Sequence, residues 1–512
     1  MFKGLSKQLR FIKEPIRSRG GAVAATNQTA ADVGARVLSK GGNAVDAAIA
    51  AAFALGVLEP WTSGLGGVGC TIIWDASQRR GHVINFQGRA PRPSQHDEAR
   101  AATAALTRRN DDLGQDIAAY RSIAVPGQPD GLWRAHVFAS KPWTTLLAPA
   151  IEISESGLRV DWREFLTIST AAAELARFPA SSAWLAPPDF PSSFRKFRAE
   201  YRLRNPALTA TLKALAERGA RDFYEGMVAH TLLSDLSRGG SRIDKIDLAS
   251  YRAALVEPTV VSHTGKRFLV PPGIELGELF SESLNMGQDF GPHLDRAAIA
   301  NIAHILSAAQ SACAIAGANF DFDEWSSHVS VIDGDGNMAS ISQTLGSVFG
   351  SKIVLPETGI LANNSCLALE QRKGDHSSPD ADPRAASHLL PILGISGERP
   401  WLAIGIAGDW NILPAMLQLI WFLTDFGFSL ADAFHLPRID VNKFGDILVD
   451  VTAPTELKNS LHAAFGAVER DFSLTPFSRS SAIAVSVDPV SGECIAMTEV
   501  SELLAGAAAA CH

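Results

Sequence analysis

The stretch WSSHVSVIDGDGNMASISQT, residues 325–344, contains the clearest structural pattern in this chain. Apolar and polar residues alternate on both sides of a DGDG turn at residues 333–336, which is typical of a β-hairpin. DGDG also occurs in calcium loops, but here it lacks the twelve-residue frame and the closing glutamate of an EF-hand. The pattern therefore predicts two antiparallel strands and no metal site. Two hydroxyl residues and an imidazole, Ser326, Ser327 and His328, lie at the entrance of the first strand.

Upstream of this hairpin, a short apolar strand, GAVAAT, is followed by two helical segments. The first is amphipathic and ends at Gly41 and Gly42, as a glycine C-cap predicts. The second is alanine-rich on all sides, which predicts a buried helix. A glycine-rich loop, SGLGGVG at residues 63–69, then leads into the strand CTIIWD. Its glycines allow close approach to a phosphate, a substrate or another strand, but the spacing matches no nucleotide-binding motif.

Downstream of the hairpin, short strands are predicted at KIVLP, HLLPILGI, WLAIGIA, DILVDV and SAIAVSVD, with a helix over residues 412–426. Helical patterning also dominates residues 127–255. Helices that flank many antiparallel strands favour a layered α+β protein over an alternating βαβ one.

Composition excludes several classes of protein. With 46% hydrophobic and 20% charged residues, the 512-residue chain has the make-up of a well-cored globular protein. A net charge of -8 provides no basic field for nucleic acid. The most apolar run, residues 47–58, is too short to span a bilayer, which takes about 20 residues. The five cysteines form no CxxC motif, which favours reduced thiols over a zinc site or a disulfide framework.

The first 20 residues carry six basic side chains but no continuous apolar segment. This composition is unlike a secretory signal, so we expect a basic N-terminal tail and a cytoplasmic location.

Several long motifs, in one order along residues 21–496, resemble the γ-glutamyltransferase family of N-terminal-nucleophile hydrolases. The front segment GGNAVDAAIAAAFALGVLEPWTSGLGGVG is similar to the family's KGGNAVDAA, GVVEP and SGLGGGG. The hairpin segment SSHVSVIDGDGNMASISQT resembles TTHFSVVDxDGNAVSxTxT. The stretch FGSKIVLPETGILANN, residues 349–364, is similar to FGSGVVVPGTGILLNN. The resemblance implies a four-layer αββα sandwich.

The resemblance also implies a reaction. In this family a peptide bond is cut before a hydroxyl residue, whose new α-amino group then serves as the base for its own hydroxyl. The matching residue is Ser326, where the family generally has threonine, so the cut is expected between Trp325 and Ser326. Thr344 matches a threonine that bonds to the nucleophile. The family's oxyanion-hole glycine pair corresponds to Gly408 and Asp409, whose carboxylate is unexpected beside an anion. No cofactor is implied.

The recognition of a glutamyl group is poorly preserved. The positions with expected substrate contacts are Gln87, Arg89, Asn363, Ser387 and His388. The family's carboxylate-binding arginine aligns with Gln87, although Arg89 lies two residues on. Its acidic pair is replaced by Leu367 and Ala368, and its small-subunit asparagine by Gly346. The segment before the expected cut is also shorter than in the family.

Two interpretations remain open from these residues. One is an autoprocessed amidohydrolase or acyltransferase that acts on a small-molecule amide, γ-glutamyl or another, through an acyl-enzyme on Ser326. The other is a noncatalytic relative that keeps the fold for binding or structure. In both, residues 1–20 are a tail, and residues 21–325 and 326–512 are large- and small-subunit-like segments of one domain. After a cut, these two fragments are expected to associate with each other.

Overall fold

The computed structural model describes residues 11–92, 120–191, 200–287, 290, 293–315, 324–367, 389–408, 411–442, 445–470 and 480–510. The strands are β1 Ile16–Ser18, β2 Gly21–Ala25, β3 Val68–Asp75, β4 Arg80–Phe86, β5 Leu158–Arg159, β6 Arg202–Leu203, β7 Ala254–Val256, β8 Thr259–His263, β9 Lys266–Val270, β10 Glu324–Asp333, β11 Met338–Ser347, β12 Ile392–Ser396, β13 Arg399–Ala407, β14 Ile439–Val441, β15 Ile447–Asp450, β16 Val468–Arg470, β17 Ser481–Val487, β18 Cys494–Thr498 and β19 Gly506–Ala509. The α-helices are α1 Gln28–Ser39, α2 Ala44–Leu58, α3 Gln128–Ala135, α4 Trp143–Ser156, α5 Trp162–Leu175, α6 Pro179–Leu185, α7 Pro206–Arg218, α8 Asp222–Glu225, α9 Met227–Arg238, α10 Lys245–Ser250, α11 Glu275–Met286, α12 Arg296–Ile315, α13 Ile412–Thr424, α14 Leu430–His435 and α15 Thr455–Phe465.

Most of the strands form two seven-stranded sheets. The hairpin sheet has the order β19-β2-β10-β11-β3-β4-β7, and the second sheet has the order β1-β18-β17-β13-β12-β9-β8. The pairings within both sheets are antiparallel. The segments before and after Ser326 both supply strands to each sheet, so neither segment builds a sheet alone.

Three apolar layers separate four layers of secondary structure. Because side chains alternate along a strand, Ala22 and Ala24 of β2 pack with Ile483 of β17 between the sheets, whereas Val23 faces the helices that include α1 and α2. On the other side, α11, α12 and α13 pack on the second sheet through residues such as Phe280. The α+β class and the four-layer αββα sandwich are therefore confirmed.

The two helices predicted before the glycine-rich loop are present and capped as expected. Asn27 caps α1, and Asn43 and Asp46 form a capping box at the start of α2. The Asp46 carboxylate also accepts hydrogen bonds from the backbone N–H groups of Ser140 and Lys141. The GGNAVDAA motif, which resembles a motif of the γ-glutamyltransferase family, therefore has a structural role in this protein.

The predicted hairpin is formed by β10 and β11, with Ile332 opposite Met338. One carboxylate oxygen of Asp333 accepts hydrogen bonds from the backbone N–H groups of Asp335 and Asn337. Its other oxygen accepts from the N–H of Ala44, at the start of α2. The DGDG segment therefore closes a turn and joins it to a helix, as expected for a hairpin.

Two segments differ from expectation. KIVLP is not a strand: it makes only an isolated bridge between Val354 and Leu361, because positive φ angles at Phe349 and Lys352 turn the chain there. Within the expected N-terminal tail, Ile16–Ser18 pairs with β18 as the edge strand of the second sheet. Among the described residues, no helix is long and apolar enough to cross a membrane.

Candidate active site

Ser326 lies near the start of β10, where the strand pairing is irregular. Trp325 is opposite Gly346 and Ser326 is opposite Thr344, so one extra residue, Leu345, lies on β11 between the two pairs. This register shift is a β-bulge, a feature that locally disrupts the ladder and redirects side chains. It coincides with the bond at which cleavage is expected.

The Ser326 hydroxyl is almost fully buried between the two sheets, with 3% of the residue exposed. The backbone N–H of Gly408, at the end of β13, donates a hydrogen bond to Ser326 Oγ across 3.4 Å. Ser480 packs against Gly408, and its buried hydroxyl has no hydrogen-bond partner within the described part of the chain. A main-chain N–H donor therefore lies beside the nucleophile oxygen. Sequence reasoning missed Ser480, which belongs to no quoted motif.

The Thr344 hydroxyl contacts the carbonyl group of the expected cleavage bond. Its Oγ1 donates a hydrogen bond to the Trp325 carbonyl oxygen at 2.6 Å and accepts one from the N–H of Gly346 at 2.8 Å. A hydrogen bond to this oxygen polarises the carbonyl and stabilises negative charge that develops on it. In the uncut chain, Thr344 thus bonds to the residue before the nucleophile, whereas the resemblance implied a bond to the nucleophile itself.

His328 follows Ser326 on the same face of β10 and is completely buried. Its Nδ1 lies 2.7 Å from Ser342 Oγ and its Nε2 lies 2.8 Å from Ser330 Oγ. Ser330 and Ser340 in turn donate to carbonyl groups of the second sheet. Burial lowers the pKa of His328 to about 3, so the ring is neutral near pH 7 and joins the sheets instead of serving as a base.

We expect His328→Asn to weaken the acid sensitivity of folding. The folded-state pKa of about 3 is below the ordinary 6.5. As the pH falls below about 6.5, the unfolded chain therefore binds a proton first, and stability is lost at about 1.4 kcal/mol per pH unit until about pH 3. The measurement is the melting temperature of both proteins between pH 7 and pH 5. The difference in melting temperature between the His328→Asn variant and the protein with His328 should become smaller as the pH falls.

Both proteins in this comparison should carry Ser326→Ala, so that cleavage does not contribute. Glu59 and Asp333 have pKa values raised by burial, which acts on stability in the opposite direction. Since both carboxyls are present in each protein, their effects cancel in the difference. A melting-temperature difference that does not change with pH would contradict this prediction.

Behind the nucleophile, on the opposite face of β10, lies a buried polar cluster. Ser327 Oγ donates to Glu59 Oε2 at 3.0 Å and lies 2.6 Å from Thr62 Oγ1 and 3.1 Å from Ser63 Oγ. Thr26 Oγ1 also donates to Glu59 Oε2, at 2.7 Å. Sequence reasoning assigned no role to these side chains, although GVLEP and SSH were both among the motifs that it used.

Gln87 lies in the same row of the hairpin sheet as the nucleophile. Ser326 is opposite Thr344, and Thr344 is opposite Val68. On the next strand Phe86 is opposite Gly69, so Gln87, one residue further along, lies beside Val68. Gln87 is 2% exposed, yet neither its amide oxygen nor its amide nitrogen has a hydrogen-bond partner among the described residues. A buried, unpartnered amide is costly unless a ligand satisfies it, so this side chain is a good candidate for a substrate contact.

Arg89, the other candidate for the family's arginine, is half-buried, and its role as a substrate contact stays a prediction. Its backbone pairs with Val125, and its Nη1 makes a long, exposed contact of 3.5 Å with Ser250 Oγ at the end of α10.

Asn363 has a different role from the expected one. Its amide nitrogen donates to the carbonyl oxygens of Gly66 and Ala124, and its amide oxygen accepts from the N–H groups of Ala124 and Ser365. All four hydrogen-bonding positions of the amide are therefore occupied. The side chain holds the glycine-rich loop in place, and the substrate contact expected for Asn363 stays a prediction.

Asn364 occupies the space that a side chain at position 346 would need. A Cβ on Gly346 would lie 2.1 Å from Asn364 Oδ1, and Gly346 has a φ of +92°. The Asn364 amide is in turn bonded to the backbone N–H and the hydroxyl of Ser347. The family's asparagine therefore cannot be accommodated at Gly346 without a rearrangement.

The glycine-rich loop approaches a strand, one of the three possibilities left open by its sequence. A Cβ on Gly67 would lie 2.7 Å from the carbonyl oxygen of Thr344.

Three of the expected site residues, Asp409, Ser387 and His388, lie outside the described residues. The described part of the chain contains no group of three or more His, Cys, Asp or Glu residues suited to a metal ion. The structure therefore brings together Ser326, Thr344 and Gly408 and places Gln87 in the same row of the hairpin sheet. The amide of Asn363 is bonded to the glycine-rich loop and to its neighbours.

A hydroxyl residue at a strand end, between two antiparallel sheets that are flanked by helices, defines the class of N-terminal-nucleophile hydrolases. Similarity to solved structures agrees with the fold. The crystal structure of a cephalosporin acylase from Bacillus halodurans superposes with a TM-score of 0.83 and covers 99% of both chains, at 23% sequence identity.

Sequence comparison identifies the family. The Gamma-glutamyltranspeptidase family model matches residues 30–326 and 316–502, and the chain therefore belongs to this family. One relative is the acylase ACY 1 proenzyme of Pseudomonas sp. (strain V22), which is 29% identical over 83% of each chain. Another is the glutathione hydrolase proenzyme of Bacillus subtilis (strain 168), which is 24% identical over 93% of this chain and 89% of the relative.

Family membership supports the catalytic interpretation over the noncatalytic one. The protein is an enzyme of this family, an amidohydrolase or acyltransferase.

Proposed function

We propose that this protein cuts its own chain before Ser326 and then hydrolyses amides whose acyl group lacks the charged amino-acid head of a glutamyl group. One arrangement supports this proposal above all others. Ser326 Oγ lies beside the N–H of Gly408, while the Thr344 hydroxyl is bonded to the Trp325 carbonyl oxygen. A nucleophile, a polarised carbonyl group and an oxyanion donor therefore meet at one peptide bond.

The self-cleavage starts from the uncut chain. Ser326 Oγ attacks the Trp325 carbonyl carbon and loses its proton, and negative charge develops on the oxygen that Thr344 Oγ1 contacts. The C–N bond then breaks, the nitrogen takes up a proton, and an ester links Trp325 to the Ser326 side chain. Water hydrolyses this ester to give a Trp325 carboxylate and a free Ser326 α-amino group.

Turnover uses the new amino terminus as the base. An α-amino group has an ordinary pKa of about 8, so it is partly deprotonated near neutral pH. It takes the proton from Ser326 Oγ, which attacks the substrate amide while the Gly408 N–H stabilises the oxyanion. The leaving amine receives the proton, and water then releases the acyl group from Ser326.

Three positions support an uncharged acyl group. Gln87, a neutral amide, occupies the arginine position and is buried with both polar atoms unpartnered. Leu367, which is buried, replaces the first residue of the acidic pair, and Asn364 fills the space beside Gly346. A free amino-acid head would thus bring two charges into a site without matching counter-charges at these positions, which is costly. Two of the relatives are named as acylases.

We expect kcat/KM for N-acyl amides with neutral aliphatic or aromatic acyl groups to exceed that for a γ-glutamyl anilide by about 100-fold or more. The measurement is amine release from a matched series of anilides. An added acceptor amine should give no transfer product, because no acceptor site is recognisable. A preference for the γ-glutamyl anilide would contradict the proposed substrate class while leaving the role of Ser326 intact.

We also propose that residues 21–325 and 326–512 remain together after the cut as one domain. In the hairpin sheet, β2 pairs with β19 and β10, and β3 pairs with β11, so separation would break three strand interfaces there. It would also break the β9–β12 pairing of the second sheet and expose the apolar layers. Size-exclusion chromatography of the cleaved protein should therefore elute both pieces in one peak.

The proposed compartment is the cytoplasm. Cys70 and Cys494 are buried thiols outside any disulfide, and burial raises the pKa of both thiols above the ordinary value. Such inert thiols are compatible with a reducing compartment. Subcellular fractionation would test this location.

A further inference from the structure

A buried carboxylate lies directly behind the nucleophile, and the mechanism above does not use it. Glu59, at the C-terminal end of α2, is 6% exposed and its Oε2 accepts hydrogen bonds from Ser327 and Thr26. Such burial is costly for a charge unless it is compensated. The guanidinium group of Arg163 supplies a favourable charge interaction with Glu59, and it also forms an ion pair with Glu502.

The hydrogen bonds around Ser327 form a directed chain that ends at this carboxylate. The amide nitrogen of Gln128 donates to Gln343 Oε1 at 2.7 Å, and the amide nitrogen of Gln343 donates to Ser63 Oγ at 3.2 Å. Because an amide nitrogen only donates, Ser63 Oγ accepts, and its own proton is available to Ser327 Oγ at 3.1 Å. Ser327 then donates to Glu59 Oε2.

This chain matters most after self-cleavage. Ser326 then becomes a chain terminus, and termini fray unless other contacts hold them. The bulge between Trp325 and Ser326 interrupts the ladder at the same point. Ser327 is the next residue along, so its hydroxyl is the first side-chain anchor of the new terminus. Because Ser327 and Ser326 point to opposite faces of the strand, the anchor leaves the nucleophile free between the sheets.

We propose that Glu59 is a positioning residue for the nucleophile and acts through the Ser327 hydroxyl. It accepts the last hydrogen bond of the chain and thereby fixes the orientation of the Ser326–Ser327 peptide unit. The inference rests on the proposed function of Ser326. It differs from a structural role alone because the anchor controls the placement of a reacting atom. A misplacement of about 1 Å at such an atom costs roughly 100-fold in rate.

The test compares cleaved enzymes, with activity normalised to the amount of small chain, on a neutral N-acyl anilide. Ser327→Ala removes one oxygen and is expected to lower kcat about 10- to 100-fold, with KM changed less than about 2-fold. Glu59→Ala should likewise lower kcat and leave KM nearly unchanged. Glu59→Gln keeps an acceptor oxygen and should retain most of kcat. The double variant Ser327→Ala/Glu59→Ala should lose no more than the larger single loss, because both changes remove one contact.

Ser181→Ala is the matched control, since Ser181 is a fully buried serine whose hydroxyl donates to the Lys352 carbonyl oxygen at 2.7 Å. It should lower the melting temperature to a similar extent and leave kcat unchanged. Two results would contradict the role of Glu59 but leave the proposed function intact. One is an unchanged kcat in Ser327→Ala, and the other is a loss of kcat in the double variant that equals the sum of the two single losses. The Ser326→Ala variant should stay uncut and inactive. If the unmodified protein is also uncut and inactive, then the proposed function is wrong, and this inference is wrong with it.

Discussion

Replacing Ser326 by alanine is expected to leave the protein as a single chain of 54.5 kDa. The unmodified protein should give two pieces, residues 1–325 and 326–512 of the 512, which correspond to about 35 and 20 kDa. Alanine keeps the burial of the site but has no hydroxyl oxygen to attack the Trp325 carbonyl. The same variant should have no amidase activity, because both steps use this atom. Denaturing gels and N-terminal sequencing of the small piece, which should begin at Ser326, measure the outcome.

Two comparisons sharpen this experiment. Ser326→Thr keeps a hydroxyl at this position, of the kind that the family generally has, so this variant should still be cleaved. The control Ser181→Ala, a buried serine in α6, should be cut at the unmodified rate. Cleavage that persists in Ser326→Ala, or a small piece that begins at another residue, would refute the assignment of the nucleophile.

Removing the Thr344 hydroxyl is expected to slow self-cleavage by about 100- to 1,000-fold, which is the usual loss when one oxyanion donor is removed. Thr344→Val has nearly the same shape, but it cannot donate to the Trp325 carbonyl oxygen, which lies 2.6 Å from Oγ1. The charge that develops on this oxygen would then be left without its side-chain donor. The measurement is the rate at which purified precursor yields the small piece on denaturing gels.

Thr71→Val is the matched control for Thr344→Val. Thr71 is a fully buried threonine on β3, in the same sheet, and no described residue forms a hydrogen bond with its hydroxyl. Its loss should leave the cleavage rate unchanged. Thr344→Ser, which retains the donor, should cleave at close to the unmodified rate. If Thr344→Val and Thr71→Val cleave equally fast, then Thr344 does not stabilise the oxyanion.

Much of the fold could be predicted because its signals are local. The alternation across residues 325–344 indicated the hairpin, and the glycines at 41–42 marked the end of α1. KIVLP failed because a short run of apolar residues does not distinguish a strand from a buried turn. There the positive φ angles of Phe349 and Lys352, which only the structure shows, turn the chain.

The site was predictable only in part, because substrate contacts depend on neighbours that are far apart in the chain. Asn363 and Asn364 are adjacent in sequence and are both buried. One of them holds the glycine-rich loop and the other fills the space beside Gly346. No local pattern separates these two roles. Glu59 and Ser327 are 268 positions apart, and only folding brings them within hydrogen-bond distance.

By itself, the sequence determined a layered α+β class, and its motifs indicated the αββα layers and the residue at which a cut is expected through the resemblance to a known family. Periodicity and motif order can be read directly from the amino-acid sequence. The tertiary structure decided which polar groups near Ser326 have partners and which do not. It showed that Asn363 is occupied, that Gln87 is unpartnered and that a carboxylate lies behind the nucleophile. The physical reason is that hydrogen-bond satisfaction and burial depend on contacts between distant segments, which exist only when the two sheets are packed.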